Sequence, residues 1–372
     1  MNDSDIEYKI EQEWKRQKEE MKNSKVNIII AGGTGVGKSS LINFIFGENI
    51  AQVGVGKPIT KGIHKYEKET LPIRFYDTEG YELNDGSIDN NNFKHKIIPF
   101  IKESKNKELT KQIHLAWYCI SITNNRITNF DIENIKLLNN ILYKKCAIVF
   151  TQCDNDEETE DGKGVKAEEF KRILKKEKIN SPIFETSIQK DLPLDIEELL
   201  EWSRNALDDD TLRESFVSSQ KKSVSLKFKE AIKVVEKRAL AASAAGASPI
   251  PFSDSVIISG LQIEMMIKIA NIFDMNNLGK QFTNVLQTQI ISQAGRLAAS
   301  ELTKLVPGLG SVINATIAGT ITYALGYGTA KIFEKGYKEY LDTGKIPDWI
   351  ELFSGSIFTK YFEEAFNYWK ER

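Results

Sequence analysis

The chain has 372 residues, of which 41% are hydrophobic and 27% are charged, and its formal net charge is −2. This length allows two domains, and the composition is that of a globular protein. The near-neutral charge gives the chain as a whole no attraction to nucleic acid, which is therefore not an expected partner. The three cysteines lack C-x-x-C spacing, which argues against a disulfide scaffold or a zinc site and fits a reducing cytosol.

Residues 1–24 form a charged N-terminal arm. Its charges argue against a signal peptide, so we expect a cytoplasmic protein. An apolar stripe through Ile6, Ile10, Trp14 and Met21 predicts an amphipathic helix. This helix either packs on a neighbouring element or remains a solvated arm.

The central motif is Gly32-Gly33-Thr34-Gly35-Val36-Gly37-Lys38-Ser39, which fits G-x-x-x-x-G-K-[ST] without a mismatch. An apolar run over residues 26–31 predicts a buried strand before it, and residues 40–46 predict a helix after it. A strand, a glycine loop and a helix turn successive backbone N–H groups toward an anion. We expect this loop, extended to Ser40, to bind phosphates, with Lys38 on the β- and γ-phosphates and Ser39 on Mg²⁺.

A second motif follows two predicted strands, over residues 64–71 and 72–76. The segment before them, residues 49–65, lacks periodicity and is expected to be a mobile loop. The second strand leads into Asp77-Thr78-Glu79-Gly80, which fits D-x-x-G about 40 residues after the phosphate loop. An acid at this place can hold Mg²⁺ through water, and the glycine N–H can approach a γ-phosphate closely.

The third motif ends a predicted buried strand over residues 146–150. Residues 80–110 before it are too long for an ordinary connection, so they are either functional or partly disordered. The motif reads Thr151-Gln152-Cys153-Asp154. The Asp154 carboxylate can accept hydrogen bonds from the ring N–H and the exocyclic amine of guanine, a pair that adenine does not offer. Taken alone, Asp154 could equally cap a turn or a helix.

Thr186-Ser187 follows the last predicted strand, over residues 182–184, and can offer backbone N–H groups to the oxygen of the base. Predicted strands alternate with helices, including helices over 131–142, 167–175 and 194–207. This alternation predicts an α/β fold with a mostly parallel sheet and helices on both faces. All four motifs fall at strand ends, where such sheets bind ligands.

In this order the motifs resemble the GTP-binding domain of the Era-like GTPases, in the translation-factor-related class, over residues 25–207. The resemblance implies that the chain binds GTP or GDP with Mg²⁺ and hydrolyses GTP to GDP and phosphate. It also implies that Thr60 closes over the metal, with Thr70 as an alternative. The catalytic candidates are therefore Lys38, Thr60 and Gly80, and the metal candidates are Ser39, Thr60 and Asp77.

Three positions depart from the family pattern. Gln152 replaces a lysine whose stem covers guanine, which predicts modest affinity. Tyr81 replaces a water-positioning glutamine, so hydrolysis should be slow or should use a group supplied from elsewhere. Thr34 replaces a glycine and resembles loops of GTPases that dimerise across the nucleotide, which suggests a GTP-dependent homodimer. Three cations, Arg126, Lys57 and Lys61, are either charge stabilisers or solvated surface groups.

The second half is predicted to be helical. Residues 208–240 are expected to form a connecting helix, and residues 241–372 an all-helical domain with helices near 254–269, 281–305, 331–342 and 346–370. This domain resembles an uncharacterised all-helical domain that follows Era-like GTPase domains in bacteria, through residues 248–254 and 306–310. The segment 305–330 has no charged residue. It is either a membrane-contacting segment paired with 239–263, or a small-residue helix packed inside a bundle.

Three functions are compatible with this sequence. The first is a GTP-hydrolysing switch whose nucleotide state is read by the helical domain. The second is a dynamin-like or immunity-GTPase-like protein that assembles on membranes, peripheral at the inner membrane face. The third is a ribosome-assembly factor, against which the charge and the lack of a recognisable RNA-binding module argue. An ATPase is compatible with this sequence only if the assignment of Asp154 to the base site is wrong.

Overall fold

The computed structural model describes residues 3–47, 50–53, 58–60, 63–78, 93–158, 164–189, 192, 194–245, 250–251, 260–275, 312–313, 315–353 and 355–371. The chain forms two compact units. An α/β unit comprises Met21–Ser223, and a helical unit comprises Met1–Glu20 together with Val224–Arg372.

The α/β unit is built on a seven-stranded sheet in the order β2-β3-β4-β1-β5-β6-β7. The strands are β1 Val26–Ala31, β2 Pro58–Thr60, β3 Ile63–Glu67, β4 Ile73–Thr78, β5 Leu115–Ser121, β6 Cys146–Thr151 and β7 Ile183–Glu185. The pairings β2–β3 and β3–β4 are antiparallel, and the other four are parallel. This confirms the predicted α/β fold with a mostly parallel sheet.

Helices cover both faces of this sheet. They are α2 Lys38–Phe46, α3 Ile50–Val53, α4 Ile98–Ser104, α5 Asn129–Ile141, α6 Val165–Lys176, α7 Ile196–Asn205 and α8 Asp210–Ser219, with a π-helical turn over Phe93–Ile97. On one face, side chains of α4, α5 and α6 share a core with Tyr118 and Ile148 of the sheet. On the other, Phe46 of α2 packs against Phe75 and Phe216, with ring centroids 4.9 and 6.0 Å away.

Residues 49–65, predicted to be a mobile loop, include α3, β2 and the start of β3. That prediction was wrong where these elements are described, because a three-residue strand is too short to show alternation. Pro58 begins β2 at the edge of the sheet, where the missing N–H removes no inner ladder bond.

Residues 208–240, predicted to be one connecting helix, form α8 and most of α9 (Val224–Ala245). The helical path breaks between the two helices, and the Gln220 side chain hydrogen-bonds the backbone of that break. Its Oε1 accepts the backbone N–H groups of Lys222 and Ser223 at 2.9 and 2.8 Å, and its Nε2 donates to the Ser223 carbonyl at 2.8 Å. Because Phe216 of α8 is buried against Phe46 of the α/β unit, that unit extends to Ser223 rather than ending at residue 207.

The helical unit contains most of α1 (Asp3–Asn23) as well as α9. Its other elements are α10 Gly260–Ile272, α11 Ala315–Thr343, α12 Trp349–Leu352 and α13 Gly355–Lys370, with β8 Ile250–Pro251 paired antiparallel to β9 Val312–Ile313. The predicted separate helix over 331–342 is the second half of α11. The predicted helix over 281–305 and the motif at 306–310 lie outside the described residues.

The N-terminal arm packs within the helical unit through two residues of its predicted stripe. Ile10 and Trp14 are buried. Gln17 donates from Nε2 to the Glu264 carbonyl at 3.0 Å and accepts at Oε1 from Asn271 Nδ2 at 3.0 Å. These contacts with α10 favour the packed helix over the solvated arm.

Glycines in α11 let it pack closely on its neighbours. A Cβ at Gly326 would lie 2.7 Å from both methyl carbons of Val235 on α9, and one at Gly336 would lie 2.4 Å from the Trp349 ring. This packing accounts for the small residues in the described part of the uncharged segment. In the part of the chain that the structure describes, no helix has both the length and the apolar content to span a bilayer.

Candidate functional site

The phosphate loop connects β1 to α2, and its glycines are required by geometry. Gly32 has φ +137°, and a Cβ there would lie 2.2 Å from the carbonyl oxygen of Cys119 on β5. Gly35 and Gly37 also have positive φ, at +76° and +90°. Gly33 and Val36 are buried, whereas Thr34 is exposed. Glycine adopts these angles without strain, and at Gly32 it alone also allows the close approach to β5.

Lys38 is the first residue of α2 and reaches back over the loop. Its Nζ donates to the carbonyl oxygens of Gly32 and Gly33 at 3.1 and 2.9 Å, and its side chain is buried. Ser39 and Ser40 follow it and are exposed. The helix N-terminus and the Lys38 ammonium group therefore lie together at the loop, an arrangement suited to phosphate oxygens.

Asp77 lies on β4, and its Oδ1 is 3.9 Å from Lys38 Nζ. Burial raises the pKa of the Asp77 carboxyl to about 6, although the charges of Lys38 and His64 lower it. Its Oδ1 is buried without a hydrogen-bond partner. A carboxylate oxygen without a donor and an exposed hydroxyl are both hard oxygen ligands of the kind that Mg²⁺ takes, so Asp77 and Ser39 are chemically suited to the ion.

The β-hairpin register separates the two candidates for the switch threonine. Thr60 pairs with Ile63 across β2 and β3, and Ile63 pairs with Thr78 of β4, so the Thr60 backbone lies at the Asp77 end of β4. Thr70 lies in the turn between β3 and β4, at the opposite end, about 20 Å along the strand. The topology thus favours Thr60 as the candidate.

Several other candidates have no described side chain. The Thr60 side chain, Gly80, Tyr81, Lys57 and Lys61 lie outside the described parts of the structure. Arg126 is exposed on the segment that follows β5. The predicted roles of these residues remain predictions.

Thr151 ties the base-side motif to the phosphate loop. Its Oγ1 donates to the Val36 carbonyl at 2.5 Å from the end of β6. Thr151 is buried, and a Cβ added at Gly37 would lie 3.7 Å from the Cβ of Thr151. The hydrogen bond therefore fixes the distance between the loop and the end of β6.

Gln152 has a left-handed backbone, with φ +59°. Its Oε1 accepts hydrogen bonds from Ser121 Oγ at 2.5 Å and from Thr123 Oγ1 at 3.1 Å. The amide is thus held against the end of β5. Sequence reasoning missed Ser121 and Thr123, although two hydroxyl residues at the end of a buried strand and just beyond it are a usable signal.

The Asp154 carboxylate lies beside the turn after β7. Its Oδ1 accepts from Ser187 Oγ at 2.8 Å, and its Oδ2 accepts from Gln189 Nε2 at 2.8 Å and from Asn155 Nδ2 at 3.2 Å. The structure therefore brings together Asp154 and Ser187, which sequence analysis assigned to one base site. Gln189 was missed, because nothing local distinguishes it from a surface glutamine.

Thr186 and Ser187 are both buried and link β7 to the base-side motif. Thr186 donates from N and from Oγ1 to the Phe150 carbonyl, at 2.7 and 2.8 Å. Its own carbonyl accepts from Cys153 N at 3.1 Å. These bonds lock the turn to the end of β6, so the Asp154 carboxylate and the Ser187 hydroxyl keep a fixed geometry.

The glycine loop between β1 and α2, with a lysine at the helix N-terminus, defines a P-loop nucleotide-binding protein. Residues 27–152 match the family described as 50S ribosome-binding GTPase. The chain therefore contains a P-loop GTPase domain followed by a helical region. Its place in the Era-like branch, and the resemblance of its second half, remain predictions.

Two curated relatives match part of the chain. Over 110 residues it is 34% identical to Magnetosome membrane protein 22 of Magnetospirillum gryphiswaldense, covering 26% of this chain and 54% of that protein. Over 146 residues it is 28% identical to Cell division control protein 10 of Saccharomyces cerevisiae, covering 32% and 44%. The chain thus spans about half the length of the curated relatives it matches.

Solved structures with similarity to the chain include two GTP-binding proteins. A probable GTP-binding protein engB gives a TM-score of 0.36 at 19% identity, covering 49% of this chain and 98% of that one. Toc33 from Arabidopsis thaliana, in complex with Mg²⁺ and GMPPNP, gives 0.32 at 16% identity, covering 51% and 81%.

Proposed function

We propose that this protein binds GTP and GDP with Mg²⁺, hydrolyses GTP to GDP and phosphate, and acts as a nucleotide-dependent switch. The observation that carries the proposal is the position of Lys38, Asp77 and Asp154. Asp77 lies near the carboxyl end of β4, Asp154 follows the carboxyl end of β6, and Lys38 begins the helix that follows the carboxyl end of β1. These strands are parallel, and such sheets bind ligands at this edge. The hydrogen bond from Thr151 to Val36 joins the phosphate side to the base side.

In this proposal the phosphate loop and Lys38 bind the β- and γ-phosphates. Ser39, Asp77 and Thr60 hold Mg²⁺, which neutralises charge on the phosphates when bound. The Gly80 N–H contacts the γ-phosphate. The protein's contribution to in-line attack by water is then to position the phosphates and to stabilise their charge.

Base selection would rest on Asp154. Its carboxylate accepts two hydrogen bonds from guanine. The Thr186 N–H is already bonded to the Phe150 carbonyl, so of the two predicted residues only Ser187 would offer its backbone N–H to the base oxygen. The Gln152 amide is held by Ser121 and Thr123, so its short stem covers less of the base than lysine would. We therefore expect selective but modest guanine affinity.

The Asp154→Asn substitution tests this assignment. Asparagine presents a donor where guanine needs an acceptor, so GDP affinity should fall at least about 100-fold. Xanthosine diphosphate, whose base has an oxygen in place of the exocyclic amine, should then bind more tightly than GDP. Titration of fluorescent nucleotides would measure both. Unchanged GDP binding would disprove the guanine assignment, and rescue by xanthosine diphosphate would exclude misfolding.

The source of the water-orienting group is part of the same proposal. Thr34 is exposed at the mouth of the loop, where a second copy of the chain could approach. Molar mass in solution should therefore double when GDP is replaced by GDP with a transition-state mimic. A chain that stays monomeric in both states would point to an external activator instead.

A membrane-associated, self-assembling GTPase is the second candidate. The name of one relative, Magnetosome membrane protein 22, favours it. Sedimentation with anionic liposomes, in GDP and in a non-hydrolysable GTP analogue, separates the two candidates. Binding in neither state would exclude the membrane function. Co-sedimentation with 50S ribosomal subunits in the same nucleotide states would test the ribosome-assembly alternative.

A further inference from the structure

The Gln189 side-chain amide uses one of the hydrogen-bond acceptor positions of Asp154, the carboxylate proposed to recognise the base. Three donors reach Asp154: the Ser187 hydroxyl at 2.8 Å, the Gln189 amide at 2.8 Å and the Asn155 amide at 3.2 Å. A carboxylate offers about four acceptor positions. Guanine requires two of them, one for its ring N–H and one for its exocyclic amine. At least one of the three protein donors must therefore leave Asp154 when guanine binds.

The surroundings of the three donors indicate which one leaves. Ser187 is buried, and its Oγ also accepts the backbone N–H of Gln189 at 3.0 Å. The Asn155 amide makes a longer bond to Asp154, and it contacts the Gln152 carbonyl at 3.4 Å. Gln189 is exposed, and its flexible side chain can turn into water at little cost.

We propose that the Gln189 side-chain amide is an intramolecular competitor for the guanine base. Its Nε2 is a planar N–H donor, as is the exocyclic amine of guanine, and both bind a carboxylate oxygen in the same way. Because the backbone bond to Ser187 keeps Gln189 beside Asp154, its effective concentration is high. Gln189 thus lowers nucleotide affinity without contacting phosphate.

This inference rests on the proposed function and predicts that a substitution raises nucleotide affinity rather than lowers it. A hydrogen bond to a charged group contributes modestly when it is exposed, so Gln189→Ala should bind GDP about three- to ten-fold more tightly than the unmodified chain. Preference for GDP over ADP should remain, because Asp154 is unchanged. Asn155→Ala is the matched comparison, because it removes the longer of the two bonds to the same oxygen, and it should raise GDP affinity less than Gln189→Ala does.

The experiment measures GDP, GTP and ADP affinities of the full chain and both variants by titration calorimetry. It also follows the Gln189 side-chain amide resonances, identified by their loss in Gln189→Ala, which should shift when GDP is added. Equal or weaker GDP binding by Gln189→Ala would overturn the inference, and so would a gain confined to Asn155→Ala. If the unmodified chain and Gln189→Ala bind neither GDP nor GTP, the proposed function itself fails. If the unmodified chain binds GDP but Gln189→Ala binds it no more tightly, only the competitor role of Gln189 is rejected.

Discussion

Lys38 Nζ lies 3.9 Å from Asp77 Oδ1, yet its hydrogen bonds go to the carbonyl oxygens of Gly32 and Gly33. The two side chains come from α2 and β4, and both are largely buried. Their opposite charges partly offset the cost of removing each from water. Asp77 keeps one buried oxygen without a donor, which is a stability cost at a place where a cation would be useful.

Asp77→Asn should therefore separate stability from metal binding. Burial raises the Asp77 pKa to about 6, so at pH 7 the folded chain holds a carboxylate that it would hold more easily as a neutral group. We expect the nucleotide-free variant to be more stable by on the order of 1 kcal/mol. The increase in GDP affinity caused by Mg²⁺ should disappear.

Thermal unfolding without nucleotide and Mg²⁺ titrations of GDP binding would measure the two effects. Gly35→Ala, which alters the phosphate loop but not Asp77, should be measured in the same buffer. It shows whether a change in the loop alone alters the Mg²⁺ dependence. A variant that retains full Mg²⁺ dependence would show that Asp77 does not hold the metal.

Gly32→Ala and Gly35→Ala form a matched pair in the phosphate loop. Both positions have positive φ, but only at Gly32 would the added Cβ meet a backbone atom, the Cys119 carbonyl oxygen at 2.2 Å. Gly35 has no neighbour within 4 Å of an added Cβ. We expect Gly35→Ala to cost about 1 kcal/mol through backbone strain.

Gly32→Ala should cost more than about 3 kcal/mol, because the loop or β5 must move. Urea denaturation measures both variants. Similar losses of stability would mean that strain, rather than the contact with β5, selects glycine at residue 32.

His114 should make stability depend on pH. Its Nδ1 accepts the Asn27 backbone N–H at 2.9 Å and its Nε2 lies 2.8 Å from the Leu109 carbonyl, so Nε2 carries the proton and the ring is neutral. Burial lowers the His114 pKa to about 4 from its usual 6.5. Between these values the unfolded chain takes up a proton that the folded chain does not.

The contribution of His114 to the free energy of unfolding should consequently be fully present above pH 6.5. It should fall by about 2–3 kcal/mol as the pH drops to 4. Urea midpoints from pH 7.5 to 4 would follow this loss. His114→Asn retains a side-chain acceptor without a titrating ring, and should flatten the curve in that window. The same slope in both proteins would assign the pH dependence to other groups.

Gly326→Leu tests the packing of α11 on α9. An added Cβ would lie 2.7 Å from the Val235 methyl carbons and 2.8 Å from Met265 Sδ, so leucine cannot fit without separating the helices. We expect a loss of more than about 3 kcal/mol. Lys335→Leu adds the same side chain at an exposed position of α11 and should cost less than about 1 kcal/mol.

The loss of helical circular dichroism on unfolding, measured in detergent-free buffer, would give the stability of the two variants. If Gly326→Leu is as stable as Lys335→Leu, close helix packing does not explain the small residues of this segment.

The sequence by itself determined the phosphate loop, the order of the motifs and the α/β fold, because each depends on contiguous residues. Gly32, Lys38 and the apolar run of β1 lie within one short stretch, so periodicity and spacing are enough. Asp77 and Asp154 were found for the same reason, since Asp77 directly follows the predicted strand over 72–76 and Asp154 is the fourth residue after the one over 146–150.

Only the tertiary structure decided how segments far apart in the chain meet. It placed Thr60 rather than Thr70 at the Asp77 end of the sheet, because strand register depends on pairing across a hairpin. It extended the α/β unit to Ser223, because burial of Phe216 depends on α2. It also brought Gln189 onto Asp154, across 35 positions of sequence, through a hydrogen bond that no local pattern encodes.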